Sequence, residues 1–172
     1  MRYVRKLSKK SNLFKIRNET IDNIDADVLK QELSTTGNML SFWKCEKREN
    51  LKDVMKAILL STTSIETSQF IIIDDSFIEK YGIETDDSEK GVTGYRGFED
   101  LHVNFSKLNY GKIGVLLNII KEIASDQANT PELKREDVKK YIIEVRNEGL
   151  LNEDALRDEL KSAIEKYCTI SN

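Results

Sequence analysis

Residues 39–74 read MLSFWKCEKRENLKDVMKAILLSTTSIETSQFIIID, and their interpretation decides the fold. FIIID at 70–74 is apolar at consecutive positions, the pattern of an interior strand covered on both faces. In MLSFWKC, Leu40 and Phe42 share one face while Met39, Trp43 and Cys45 share the other, so a strand over 39–45 also has two faces to bury. Between them, Leu51, Val54, Met55, Ile58 and Leu59 recur at helical spacing and predict an amphipathic helix over 51–61. Strand, helix and strand make a β-α-β crossover, which predicts that the two strands are parallel.

Downstream, Ser76 and Glu79 have capping-box spacing and Gly82 offers a left-handed stop, so a short helix is expected over 76–81. Residues 83–99 show no period, and a loop of that length in a compact domain is either functional or disordered. LHVNF at 101–105 sets Leu101, Val103 and Phe105 against Asp100, His102 and Asn104, an edge strand or a site. Tyr110, Ile113, Leu116, Leu117 and Ile120 give a long helix to about Ala124, and SDQANT reads as a linker. Thr130 as N-cap with Pro131 at the first helical position starts a helix carrying Val138, Tyr141, Ile142 and Val145 and ending at Gly149. A second helix after Asn152 buries Leu156, Leu160 and Ile164, which makes a helical hairpin.

Upstream the signals are weaker. Phe14 and Ile16 alternate with Lys15 and Arg17, giving a strand at 13–17, and Asp25 caps a helix with Val28, Leu29 and Leu33 that stops at Gly37. The expected fold is α+β or α/β: a small mixed sheet with a β-α-β crossover, flanking helices and a C-terminal helical hairpin. Residues 1–128 form the body with a basic N-terminal arm, and 129–172 form the hairpin packed on it as one domain.

A chain of 172 residues can bury roughly two thirds of its unfolded surface, so neither disulfides nor a structural metal are required. Cys45 and Cys168 form no C-x-x-C pair and have no nearby histidine, which excludes the usual zinc spacings and fits a reducing cytoplasm. The uncharged run Ile113 to Ile120 is far short of the roughly 20 apolar residues of a membrane span, and no signal peptide is expected. The net charge of −3 is uneven. Residues 1–17 hold Arg2, Arg5, Lys6, Lys9, Lys10, Lys15 and Arg17 without an acid, so the chain is a basic arm on an acidic body. The arm either contacts phosphates, with Arg2, Arg5, Lys6, Lys9 and Lys10 as nucleic-acid candidates, or pairs with its own body.

GVTGYRG at 91–97 is neither a dinucleotide fingerprint nor a Walker loop, because a loop precedes it, a strand follows it and no G-K-[ST] ends it. Gly91, Gly94 and Gly97 with Arg96 remain candidates for an anion nest, against a mobile loop whose glycines only serve turns. Asp74 and Asp75 lie at the carboxyl end of a predicted interior strand, and Asp100 shares a strand face with His102. If those strands are neighbours, Asp74, Asp75, Asp100 and His102 are candidate metal ligands and catalytic groups for phosphodiester hydrolysis; if not, they are caps and solvated side chains. A Cys45–His102 nucleophile pair has no local signature, and DNIDAD at 22–27 lacks the glycine and glutamate of a calcium loop.

A single histidine and no dense polar constellation favour a non-enzymatic binding protein. The acidic body suits masking or recruiting a basic protein partner, as an immunity protein, antitoxin or accessory subunit of a bacterial defence system does. Candidate contacts are Glu84, Asp86, Asp87 and Glu89 with Tyr95 and Phe98 as aromatic anchors. The alternatives are a metal- or nucleotide-dependent hydrolase or nucleotide sensor using Asp74, Asp100, His102 and Arg96, and a nucleic-acid binder using residues 2–17. No cofactor other than a divalent metal is suggested.

Overall fold

The computed structural model describes residues 1–8 and 10–167; Lys9, the Lys10 side chain and Cys168 lie outside the described residues. In chain order the elements are β1 (Arg2–Lys6), α1 (Lys10–Asn18), α2 (Ala26–Glu32), β2 (Leu40–Cys45), α3 (Leu51–Leu59), β3 (Ser68–Asp74) and α4 (Asp75–Lys80). They continue with β4 (Glu84–Asp86), β5 (His102–Ser106), α5 (Tyr110–Ile123), β6 (Glu132–Leu133), α6 (Arg135–Asn147) and α7 (Asp158–Tyr167).

The class is α+β, built on one six-stranded sheet in the order β4-β5-β2-β1-β3-β6. Every pairing in that sheet is antiparallel, in place of the mixed sheet expected. The reason is β1. It lies between β2 and β3 and runs antiparallel to both, with Arg2 opposite Cys45 on one side and Asp74 on the other. β2 and β3 therefore point the same way, as the crossover through α3 predicts, but they do not touch.

Each face of the sheet is buried. Tyr3, Phe42, Ile71, Ile73, Val103 and Phe105 pack under α1, α2, α4 and α5, through residues such as Ile16, Val28, Ile78 and Leu116. Val4, Trp43, Phe70 and Ile72 on the other face pack under α3, α6 and α7, through Val54, Ile58, Ile142 and Leu160. The consecutive isoleucines of β3 thus alternate between two cores, which explains why residues 70–73 have no polar position before Asp74.

Three local expectations are corrected. Residues 13–17 are helical, because Leu13 and Ile16 bury together at i,i+3 spacing while Phe14 faces solvent. The strand holding His102 is not an edge, since β4 pairs beyond it. Thr130 and Pro131 do not start a helix: the Pro131 carbonyl accepts the Phe70 N–H at 3.0 Å, β6 follows, and α6 begins only at Arg135. No helix among the described residues is long and apolar enough to cross a membrane.

Candidate functional site

The strand order disperses the carboxylates and histidine that the sequence offered as a metal or catalytic cluster. Asp74 ends β3 and His102 begins β5, with β1 and β2 between them, so their strands are three inter-strand spacings, about 14 Å, apart. Each group also has a structural partner. Asp74 accepts from Arg2 Nε at 2.9 Å, Asp75 accepts from the Tyr3 hydroxyl at 2.9 Å, and Asp100 pairs with Lys90 at 2.9 Å. The Tyr3 phenol is pushed up to about 12, by burial first and then by Asp75. His102 faces Trp43 across β2 and β5, with ring centroids 5.6 Å apart, and its Nδ1 lies 3.2 Å from the Glu89 carbonyl. Among the described residues no three His, Cys, Asp or Glu side chains sit close enough to hold a metal ion.

The glycine loop does not form a nest, which needs several free N–H groups converging on one point. Gly91 N–H donates to the Glu99 carbonyl at 2.9 Å, Gly94 N–H to the Leu60 carbonyl at 3.0 Å, Arg96 N–H to the Leu150 carbonyl at 2.9 Å and Gly97 N–H to Glu99 Oε2 at 2.9 Å. Two of these glycines answer to packing instead. A Cβ at Gly91 would lie 2.7 Å from the Trp43 ring, and one at Gly94 only 2.2 Å from Leu156 Cδ2. Gly97 sits at φ +87°, a turn position. The Arg96 side chain is exposed.

The acidic segment keeps its charge but loses its anchors. Glu84, Asp87, Glu89 and Asp100 are exposed, while Tyr95 is 3% exposed and stacks on the half-buried Phe98 with centroids 4.0 Å apart. Neither ring is free to dock a partner. Glu84 pairs with Lys107 at 2.5 Å and Asp87 with Lys44 at 2.9 Å. The Ser88 hydroxyl and N–H hold the Asp86 carboxyl below the usual range, and Lys44 does the same for Asp87.

The basic arm is built into the sheet. Arg2 binds Asp74, Lys6 binds Glu66 at 3.1 Å, and Arg5 donates to the Ser41 carbonyl at 2.8 Å and the Glu32 carbonyl at 3.2 Å. This leaves residues 2–6 without the free, extended reach of a nucleic-acid arm. Cys45 is fully buried, its Sγ donates to the Lys47 carbonyl at 3.1 Å, and burial pushes the thiol up, so it lacks the character of a nucleophile.

Two features escape a reading of the sequence. Lys56, 3% exposed on α3, is ringed by Asp53, Glu144 and Glu148 at 3.3–3.6 Å and lies 5.6 Å from the Tyr95 ring centroid. The Tyr95 hydroxyl donates to Asp53 at 3.2 Å, and burial together with Asp53 and Glu148 holds it protonated well above the ordinary tyrosine range. The second is at the end of β1. Its register with β2 stops at Val4 opposite Trp43, and beyond it two adjoining cavities of about 350 and 460 Å³ share Arg5 and Ser41. Helical spacing puts Lys56 on the apolar stripe's border, which is a signal in hindsight; the splay of β1 from β2 leaves none.

Comparison with protein-family models, with curated proteins and with solved structures returned no match.

Proposed function

We propose that the protein is a non-enzymatic binding module that recognises a basic protein partner through the acidic rim at residues 84–100. One observation carries the reading: the backbone of this segment is fixed while its carboxylates face outward. Gly91, Gly94 and Arg96 are tied to Glu99, Leu60 and Leu150, whereas Glu84, Asp87, Glu89 and Asp100 remain exposed. A rim held in this way loses little conformational freedom on docking. Its ion pairs with Lys107, Lys44 and Lys90 are exposed and worth about 0–1 kcal/mol each, so a cationic partner displaces them at small cost. Val92, 73% exposed in the middle of the rim, takes the apolar anchoring role that Tyr95 and Phe98 cannot fill.

Six carboxylates against Lys90 and Arg96 within 84–100 give the rim a negative field that speeds encounter and selects for a basic surface. An immunity protein, an antitoxin or an accessory subunit of a bacterial defence system works in this way, and that is the class proposed. The test is capture of the tagged chain from its native cells, beside a rim variant (Glu84→Lys, Asp86→Lys, Asp87→Lys, Glu89→Lys) and an α6 control (Glu136→Lys, Asp137→Lys). The reading expects one stoichiometric protein with the wild type and the control, lost from the rim variant and released near about 0.5 M salt, where screening is short-ranged. Equal capture by all three chains contradicts it.

A further inference from the structure

We infer that the 460 Å³ cavity where β1 parts from β2 is a binding site for the phosphate group of a small molecule, held by Arg5, Lys6 and Arg157 beside Trp43. This site is independent of the acidic rim, and its ligand is of opposite charge.

The cavity's lining contains three cations and no carboxylate, in a chain whose acids outnumber its bases. Arg5 is placed there by the fold. Once β1 and β2 lose register after Val4 and Trp43, the guanidinium fills the gap, and its terminal nitrogens hold the Ser41 and Glu32 carbonyls at 2.8 and 3.2 Å. Those two bonds use two of its five N–H donors, and Nε is buried with no acceptor among the described residues. The guanidinium is hydrogen-bonded to two neutral carbonyls and attracted by the nearby Glu32 carboxylate, and with Nε orphaned it still has donors to offer an anion. Lys6 is tethered to Glu66 at 3.1 Å, a carboxylate more than half exposed that can release it. Arg157, exposed just before α7, has no ion pair among the described residues.

A planar guanidinium held by backbone carbonyls beside two further cations is the arrangement that suits a tetrahedral oxyanion, which takes directional bonds from the fork and point charge from the others. The volume exceeds that of a lone phosphate. Trp43 and Ile58 supply apolar wall for the remainder of a small phosphorylated molecule, and the adjoining 350 Å³ cavity, lined by His102, Asn104 and the acidic Glu89, extends the space for its uncharged part.

Trp43 is the only tryptophan in the chain and lines the cavity, so its fluorescence reports occupancy directly. The experiment titrates orthophosphate, pyrophosphate and a nucleoside triphosphate into the full chain at constant ionic strength, for the wild type, Arg157→Gln and Arg5→Lys. The proposal expects saturable change with at least one of the three at a Kd of about 1 mM or tighter. Arg157→Gln should weaken it about tenfold without moving the ligand-free melting temperature, the effect of one lost charge-assisted contact. A triphosphate that binds more tightly than pyrophosphate identifies a nucleotide as the ligand, and equal affinities identify the free anion. No saturable change with any of the three up to about 10 mM, or one that Arg157→Gln and Arg5→Lys leave untouched, overturns the proposal.

Discussion

Lys56 Nζ of α3 lies 3.3 Å from the Glu144 carboxylate of α6, and that pair fastens α6 to α3. The ammonium is buried, with Asp53 and Glu148 as its other partners at 3.6 and 3.5 Å, while the three carboxylates reach water. Removing the cation leaves three acids converging on an apolar hole. Lys56→Ala should cost about 2–4 kcal/mol in urea unfolding, somewhat below a fully buried pair because the acids can rehydrate. Glu148→Gln, on the exposed side, should cost under about 1 kcal/mol. Equal, small effects of the two would show that the cluster does not hold α6.

Tyr3 fixes the sign of the alkaline response. Its folded pKa is about 12 against about 10 unfolded, so between those values the unfolded chain releases a proton that the folded chain keeps. Stability from this group is complete below about pH 10 and is lost as pH rises through about 12. Tyr95 is shifted in the same direction by burial, Asp53 and Glu148. Tyr3→Phe should lose roughly 1 kcal/mol at neutral pH with its bond to Asp75, yet show a shallower fall of the urea midpoint between about pH 9 and 12. Parallel wild-type and variant profiles would contradict the assignment.

Two glycines should respond in opposite directions. A methyl at Gly94 meets Leu156 Cδ2 at 2.2 Å in a wall that also holds the Asn152 carbonyl, so Gly94→Ala should destabilise by about 1–3 kcal/mol. Gly114, inside α5, has nothing within 4 Å of its Cβ direction, and Gly114→Ala should stabilise by up to about 1 kcal/mol through helix propensity. Thermal unfolding of the two variants checks both.

Because β1 is interior, removing it differs from trimming an arm. Deletion of residues 1–8 parts β2 from β3 and strips Tyr3, Val4 and Leu7 from the two cores. The truncated chain should lose cooperative unfolding and expand on gel filtration. A folded, monomeric truncation would return residues 2–6 to the role of a peripheral arm.

What was legible in the sequence depended on how apolar each segment is. α3, β3 and α5 announce themselves because Val54, Ile58, Ile71, Ile73, Leu116 and Ile120 sit at unambiguous periods. β1 is hidden because RYVRK has only Tyr3 and Val4 to bury, and its end charges read as solvated until Asp74 and Glu66 are brought beside them. In NLFKIRN the i,i+2 pair Phe14/Ile16 and the i,i+3 pair Leu13/Ile16 compete, and seven residues are too few to decide. The missing β1 in turn explains the misplaced site, since with β2 and β3 adjacent Asp74 would stand nearer β5 than the observed order allows. Tyr95 and Lys56 were opaque for a related reason: each is polar in its local context and becomes buried only through contacts with α6 and with α3, distant in the chain.

The central claim is that the acidic rim meets the partner, and amide hydrogen exchange of the free protein against the purified complex tests it most directly. The account predicts slowed exchange concentrated in residues 84–93, around Val92, with little change in α1 or α6. Protection centred on Phe14 and α1, or on α6 and α7, with the rim exchanging as fast in the complex as alone, would contradict it.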